Sequence, residues 1–212
     1  ITDKAFAGRA WDMWAGYNTR GEAEIVCLGI KDRGNLEDED NFDDGDYNGW
    51  AVDSDPNITW TVVGGRLRAE VVSGDGGVSL IRRTGTIVTG RNVTVEYDVY
   101  FGNGATNGGL VFGGVVLEVN PVRAGWRDDD PSFYSCGDYV SAGEWHHIVV
   151  SVHQGSPYWT SDLLVDTNTV FMAEPIEVSS FSDGEVGFES PRSAGFVEWD
   201  NFRAADQQYV EV

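Results

Sequence analysis

Hydrophobic and polar residues alternate along much of this chain with a period of two. In Val93-Thr94-Val95-Glu96-Tyr97-Asp98-Val99-Tyr100 one set of side chains faces a core and the other faces solvent. β-Branched and aromatic runs of this kind cover residues 58–63, 67–72, 78–82, 93–101, 110–119, 145–153, 163–171, 185–189 and 196–203. Turn-forming clusters separate them, among them Gly64-Gly65, Asn103-Gly104 and Ser182-Asp183-Gly184. No convincing helical period runs through any long window. Many short strands joined by regular turns predict an all-β protein, an antiparallel two-sheet jelly-roll sandwich.

The pattern changes before residue 41. Trp11, Trp14 and Tyr17 precede an apolar run at residues 23–30, which reads as a strand, and the polar stretch 31–40 reads as a linker or loop. The expected organisation is an N-terminal extension, edge strand or linker (1–40), a sandwich (41–205) and a short tail (206–212). The run at 25–30 could complete a neighbouring copy's sheet by strand addition, so residues 1–40 are the expected route to self-association. That route would suit the structural subunit of an extracellular filament, sheath or surface layer.

Charge narrows the function classes. Fourteen Lys and Arg oppose 35 Asp and Glu, a net charge of −21. Such a field repels phosphate backbones and anionic lipid, which argues against nucleic-acid and membrane-surface partners. Lys4 and Lys31 are the only lysines. An Asp-rich, Lys-poor surface fits a secreted or salt-tolerant protein, and the expected location is extracellular or at the cell surface. Aromatic residues make up 12 % of the chain, enough for a substantial core despite the charge. No run approaches the ~18 apolar residues of a membrane-spanning helix. The start, Ile1-Thr2-Asp3-Lys4, lacks a signal-peptide profile, as expected of an excised domain or processed product. Cys27 and Cys136 are too few for a zinc knuckle and leave open one disulfide or two thiols.

Three ordered segments carry a family resemblance. The first contains Asn41-Phe42-Asp43-Asp44-Gly45-Asp46, Gly49-Trp50 and Trp60 through Leu67. The second is Gly143-Glu144-Trp145-His146-His147-Ile148, followed by Leu163-Leu164-Val165-Asp166. The third is Gly187-Phe188 and then Glu198-Trp199-Asp200-Asn201-Phe202. Together they resemble a concanavalin A-like, or laminin G-like, β-sandwich, a fold that hosts lectins, adhesion modules, hydrolases and lyases. The resemblance implies a structural calcium where the first strand meets the last, with Asp43 and Asp200 as ligands. Hard carboxylate oxygens suit that ion. Asp40, Asp44 and Asp46 are nearby alternatives, and a merely solvated acidic turn is the competing reading; Asp128-Asp129-Asp130 is read as a solvated loop.

Binding is expected rather than turnover. Exposed rings on sandwich loops stack on sugars, which nominates Trp126, Tyr134, Tyr158 and Trp159 as glycan ligands; the same rings could instead cover the ends of the core. Glu96 and Asp98 point to one face of a strand and invite a glycoside hydrolase or lyase reading. Sandwich glucanases similar in fold carry an acidic strand of the form Glu-apolar-Asp-x-x-Glu, and here Tyr100 or Phe101 stands in the place of its last acid. His146 and His147 face opposite sides of their strand and cannot readily share one ion, so they read as structural. Asn57-Ile58-Thr59 and Asn92-Val93-Thr94 match the N-glycosylation pattern.

Overall fold

The computed structural model describes residues 14–17, 23–26, 36–74, 77–83, 92–102, 104–105, 107–127, 134–135, 139–154, 158–176, 185–192 and 194–206, with backbone alone for 14–17, 23–26, 36–38, 134–135 and 206. Every regular element among them is a β-strand. In chain order they are β1 (Trp14–Tyr17), β2 (Ala23–Val26), β3 (Leu36–Asp40), β4 (Trp50–Asp53), β5 (Ile58–Val62) and β6 (Leu67–Val71). Then come β7 (Leu80–Arg83), β8 (Asn92–Gly102), β9 (Gly109–Phe112), β10 (Val115–Val119), β11 (Arg123–Arg127) and β12 (Tyr134–Ser135). The last five are β13 (Trp145–His153), β14 (Trp159–Val165), β15 (Asn168–Ile176), β16 (Val186–Glu189) and β17 (Gly195–Asp206).

These strands form two antiparallel sheets around one core. A seven-stranded sheet runs β12-β11-β10-β9-β16-β7-β4, and an eight-stranded one runs β15-β14-β13-β8-β17-β6-β5 with β3 beside β17 as its eighth member. Strand β17 is long enough to take two partners on one side: β6 pairs with Gly195 through Trp199, and β3 with Phe202 through Ala205. Strands β1 and β2 pair with each other in register Trp14↔Val26, so residues 23–26 of the run expected as a strand are one and take 14–17 as partner, while 27–30 lie outside the described residues.

The structure corrects three expectations. Residues 36–40, read as part of a linker, are strand β3. Leu-Glu-Asp-Glu-Asp has no apolar alternation, and pairing to β17 overrides its low strand propensity; charge on such a strand also discourages further pairing. The run 110–119 is two strands, because Gly113 (φ 55°) and Gly114 (φ 86°) supply a left-handed two-residue turn, with Phe112 paired to Val115. The run 163–171 is likewise broken by Asp166 and Thr167, at φ 55° and 107°.

The inward faces meet in an aromatic core. Trp199 stacks on Phe188 (centroids 5.0 Å) and on Trp60 (5.6 Å), while Phe188 meets Trp50, Tyr97 and Phe202 at 5.7, 5.3 and 5.8 Å. Two of the buried indoles find acceptors here: Trp60 Nε1 donates to Ser79 Oγ (2.8 Å) and Trp50 Nε1 to Asp40 Oδ2 (2.8 Å). On the seven-stranded sheet, the buried carboxylates of Glu118 and Glu189 are tied by Arg123, Arg127 and Arg192. Removing one partner would strand a buried charge, so this network is a structural brace.

Candidate functional site

The segment entering the sandwich, 40–43, meets the segment leaving it, 200–203. Register between β17 and β8 jumps from Asp200↔Asp98 to Arg203↔Glu96, a bulge centred on Asn201 in the left-handed region (φ 50°). Opposite it, Phe42 is also left-handed (φ 53°) with its ring fully buried. A bulky residue in that region is strained, and such strain persists only where surrounding contacts impose it. Asp40 supplies those contacts: Oδ1 accepts the Phe42 N–H (2.9 Å), and Oδ2 accepts from Trp50 Nε1 and Arg83 (3.0 Å).

Three aspartates share this corner. Asp43 packs against the β5–β6 turn, where a Cβ on Gly65 would stand 2.8 Å from Asp43 Oδ1. Asp98 Oδ1 lies 2.7 Å from His147 Nδ1, and Asp98 Oδ2 accepts from Asn201 Nδ2 (2.7 Å). Burial pushes the Asp200 carboxyl above its ordinary value. The negative charges of Asp98 and Asp43 add to this, while the Asn201 N–H and Arg66 oppose it. Asp43 and Asp200, nominated from sequence, thus lie in one electrostatic neighbourhood that also includes Asp98. Their oxygens have the chemistry calcium prefers. As placed, they form a shared field and not a closed ligand set: among the described residues no three His, Cys, Asp or Glu side chains converge closely enough to hold a metal. Of the nearby alternatives, both oxygens of Asp40 already accept protein donors. Both oxygens of Asp46 accept from Asn48, and Asp44 Oδ1 accepts the Asp46 N–H.

Beside the three aspartates opens a cleft of about 470 Å³, lined chiefly by Asn41, Asp44, Asn48, Arg83, Asn201 and Arg203. Its wall alternates amides, carboxylates and guanidinium groups. This is the donor and acceptor mixture that matches a hydroxyl-rich ligand of one or a few rings.

The outward face of the eight-stranded sheet continues from the same corner. Cross-strand register aligns Glu198 with Tyr100 and Tyr100 with Trp145. The Tyr100 ring lies 5.5 Å from Trp145 and 6.0 Å from Phe196. Arg66 sits over Trp145 (4.9 Å) and Arg68 over Phe196 (3.6 Å), and both reach Glu198, at 3.9 and 3.3 Å. Glu96 and Asp98 share this face as alternation requires, yet both oxygens of Asp98 are held by His147 and Asn201. His146 faces inward: the Ser141 N–H donates to Nε2 (2.9 Å), so Nδ1–H donates to Asp166 Oδ2 (2.7 Å). Burial raises the Asp166 carboxyl, but the hydrogen bonds from His146 and the His147 N–H outweigh it and hold the group below its ordinary value.

The nominated aromatics do not assemble into one site. Trp126 is a correction: it is 2 % exposed, donates Nε1 to Ser161 Oγ (2.6 Å) and belongs to the core, because alternation in β11 turns it inward. Tyr158 is 47 % exposed; Trp159 is half-buried against the core. The side chain of Tyr134 lies outside the described residues, as do Cys27, Cys136 and Asp128-Asp129-Asp130. Sequence reasoning missed Asn201, Arg203, Tyr100, Trp145 and Phe196. For Tyr100 the signal was available, since alternation puts it on the face of Asp98; the others depend on strand register.

Two antiparallel sheets with this order, and their structural neighbours, define a concanavalin A-like β-sandwich. No protein-family model and no curated protein sequence matches the chain. Among solved structures, the potassium-bound carbohydrate recognition domain of Emp46p is similar over 83 % of this chain and 100 % of that one, with TM-score 0.58 and 14 % identity. Domain 4 of AbnA, a GH43 extracellular arabinanase from Geobacillus stearothermophilus, solved with arabinotriose, covers 84 % of this chain and 95 % of its own, with TM-score 0.53 and 14 % identity. The alginate lyase Aly36B covers 82 % and 98 %, with TM-score 0.52 and 13 % identity. The likeness is one of fold.

Proposed function

We propose that this chain is a non-catalytic glycan-binding module of an extracellular or cell-surface protein, with its primary subsite in the cleft between the 41–48 turn and the β17 bulge. One observation carries the reading: a cleft of about 470 Å³ walled by asparagine, aspartate and arginine, built on backbone strained at Asn201. Such a wall presents donors and acceptors at fixed positions, as hydroxyl recognition demands. The likeness in fold to the carbohydrate recognition domain of Emp46p and to the arabinotriose-bound domain 4 of AbnA supports the same class. A calcium ion held by Asp43 and Asp200 would lower the repulsion that these two and Asp98 create, and would brace the corner.

The test is titration calorimetry against neutral mono- and disaccharides selected on a glycan array, in buffer with calcium. Asp44→Ala and Arg203→Ala should each weaken binding about tenfold, the cost of one or two lost charge-assisted hydrogen bonds, with melting temperature unchanged. Absence of saturable binding to any saccharide at millimolar concentration overturns the proposal.

A further inference from the structure

We propose that the ligand track runs out of the cleft across the outward face of the eight-stranded sheet, so that the module grips an internal stretch of a neutral polysaccharide through a second subsite on Trp145, Tyr100 and Phe196. This rests on the cleft being a saccharide site and specifies what that site takes.

The first support is the placement of the rings. Period-two alternation sends polar residues outward on β8, β13 and β17, yet Tyr100, Trp145 and Phe196 stand outward on these three adjacent strands. Centroids are 5.5 and 6.0 Å apart. With strands ~4.8 Å apart, the row spans roughly 10 Å, the scale of a disaccharide. Trp145 is 37 % exposed, so part of its ring is open to a ligand as well as paired with Tyr100 across the strands.

The second is the chemistry around the rings. Arg66 and Arg68 lie over Trp145 and Phe196 and share Glu198, and Arg68 also reaches Glu70 at 3.8 Å. Each guanidinium is compensated by a carboxylate. Phe196, packed on Gly102 and under Arg68, walls the row, which offers donors and acceptors beside the Trp145 ring without net positive charge, in a molecule of charge −21 that repels polyanions. A neutral chain is the ligand that satisfies both conditions. Arg66 is the movable cover: its side chain is 45 % exposed and its ion pair with Glu198 is long. When it swings off Trp145, Glu198 keeps its shorter pair with Arg68 at 3.3 Å, so no buried carboxylate is stranded.

The third is continuity. Asn201 lines the cleft and donates to Asp98, two residues along β8 from Tyr100. His147, bonded to Asp98, is two residues along β13 from Trp145. Arg66 acts on Asp200 and lies over Trp145, joining the acidic corner to the aromatic row. From Arg203 in the cleft to Phe196, β17 extends roughly 23 Å at ~3.3 Å per residue.

The experiment is calorimetry of one neutral oligosaccharide series, from monomer to hexamer, against the intact chain, Trp145→Ala, Trp145→Phe and Arg203→Ala. Affinity of the intact chain should rise with length. Trp145→Ala should lose about tenfold for the longest member and less than twofold for the monomer, and Trp145→Phe should recover most of the loss. Equal affinity of Trp145→Ala and the intact chain at every length overturns the second subsite while leaving the cleft standing. If no member binds the intact chain, the cleft reading itself has failed and this inference falls with it. Preference for a uronic acid oligomer over the neutral series also overturns it.

Discussion

At the scale of single residues, the acidic corner makes a signed prediction through Asp200. Its folded-state carboxyl sits above the ordinary 3.8, so over that window the native state binds more protons than the unfolded one. Stability therefore falls as pH rises through the window, and the penalty is fully present at neutral pH. Asp200→Asn, which keeps an oxygen for the Asn201 N–H, should raise the melting temperature at pH 7 in chelator by a few degrees. The gain should vanish below pH 3.8, where the native side chain is protonated in both states. Millimolar calcium should raise the melting temperature of the intact chain and leave Asp200→Asn unmoved; an equal calcium response in both would remove Asp200 from the metal proposal. Asp166 behaves oppositely. Held below its ordinary value, it contributes stability above pH 3.8 that is lost as pH falls through its lowered value. Asp43 and Asp200 were nominated by the family resemblance, through short aromatic–acidic motifs, and the structure puts them within each other's field. Asp98 was legible only as a residue on an outward face; its company with them depends on the Asp200↔Asp98 register, which no local pattern encodes.

At the scale of elements, the strands that read best are those with one face in the core. Strand β8 alternates strictly from Tyr97 to Tyr100, and β13 runs exposed and buried by turns from Trp145 to His153. Strands β9 and β10 were fused in the reading because β9 is buried on both faces and the apolar run continues through the hairpin. Without alternation, Gly113-Gly114 was the only mark of the turn. Strand β3 was missed for the opposite reason: its acidic residues signal no core face, and its place is dictated by the second half of β17. The β14–β15 turn shows local chemistry giving way to tertiary contact. Left-handed positions favour Asn-Gly or Asp-Gly, but Thr167 stands at φ 107°, while Asp166 is pinned by the His146 side chain and the His147 N–H. Thr167→Gly should relieve that strain and raise unfolding stability by about 1 kcal/mol, read as a higher urea midpoint at unchanged slope. A lower midpoint would show that the turn is held by contacts of the threonine side chain.

At the scale of the whole molecule, a charge of −21 on 212 residues makes self-repulsion a standing cost. Raising sodium chloride from 10 mM to 1 M, where the screening length shrinks to ~3 Å, should raise the melting temperature; a fall would mean that the arginine–carboxylate braces outweigh the repulsion. Architecture was readable at this scale because strand count and turn spacing leave few solutions. The ligand face was not, because it is assembled from β8, β13 and β17, which are far apart along the chain. The last of these has a consequence for biosynthesis. Strand β17 lies between β8 and β6 although it follows every other strand in the chain, so the middle of its sheet closes only when residues 195–206 become available. A nascent or truncated chain ending before residue 195 leaves β8, β6 and β3 without the partner that β17 supplies. It is therefore a substrate for chaperones or for a complementing peptide that supplies the missing strand in trans.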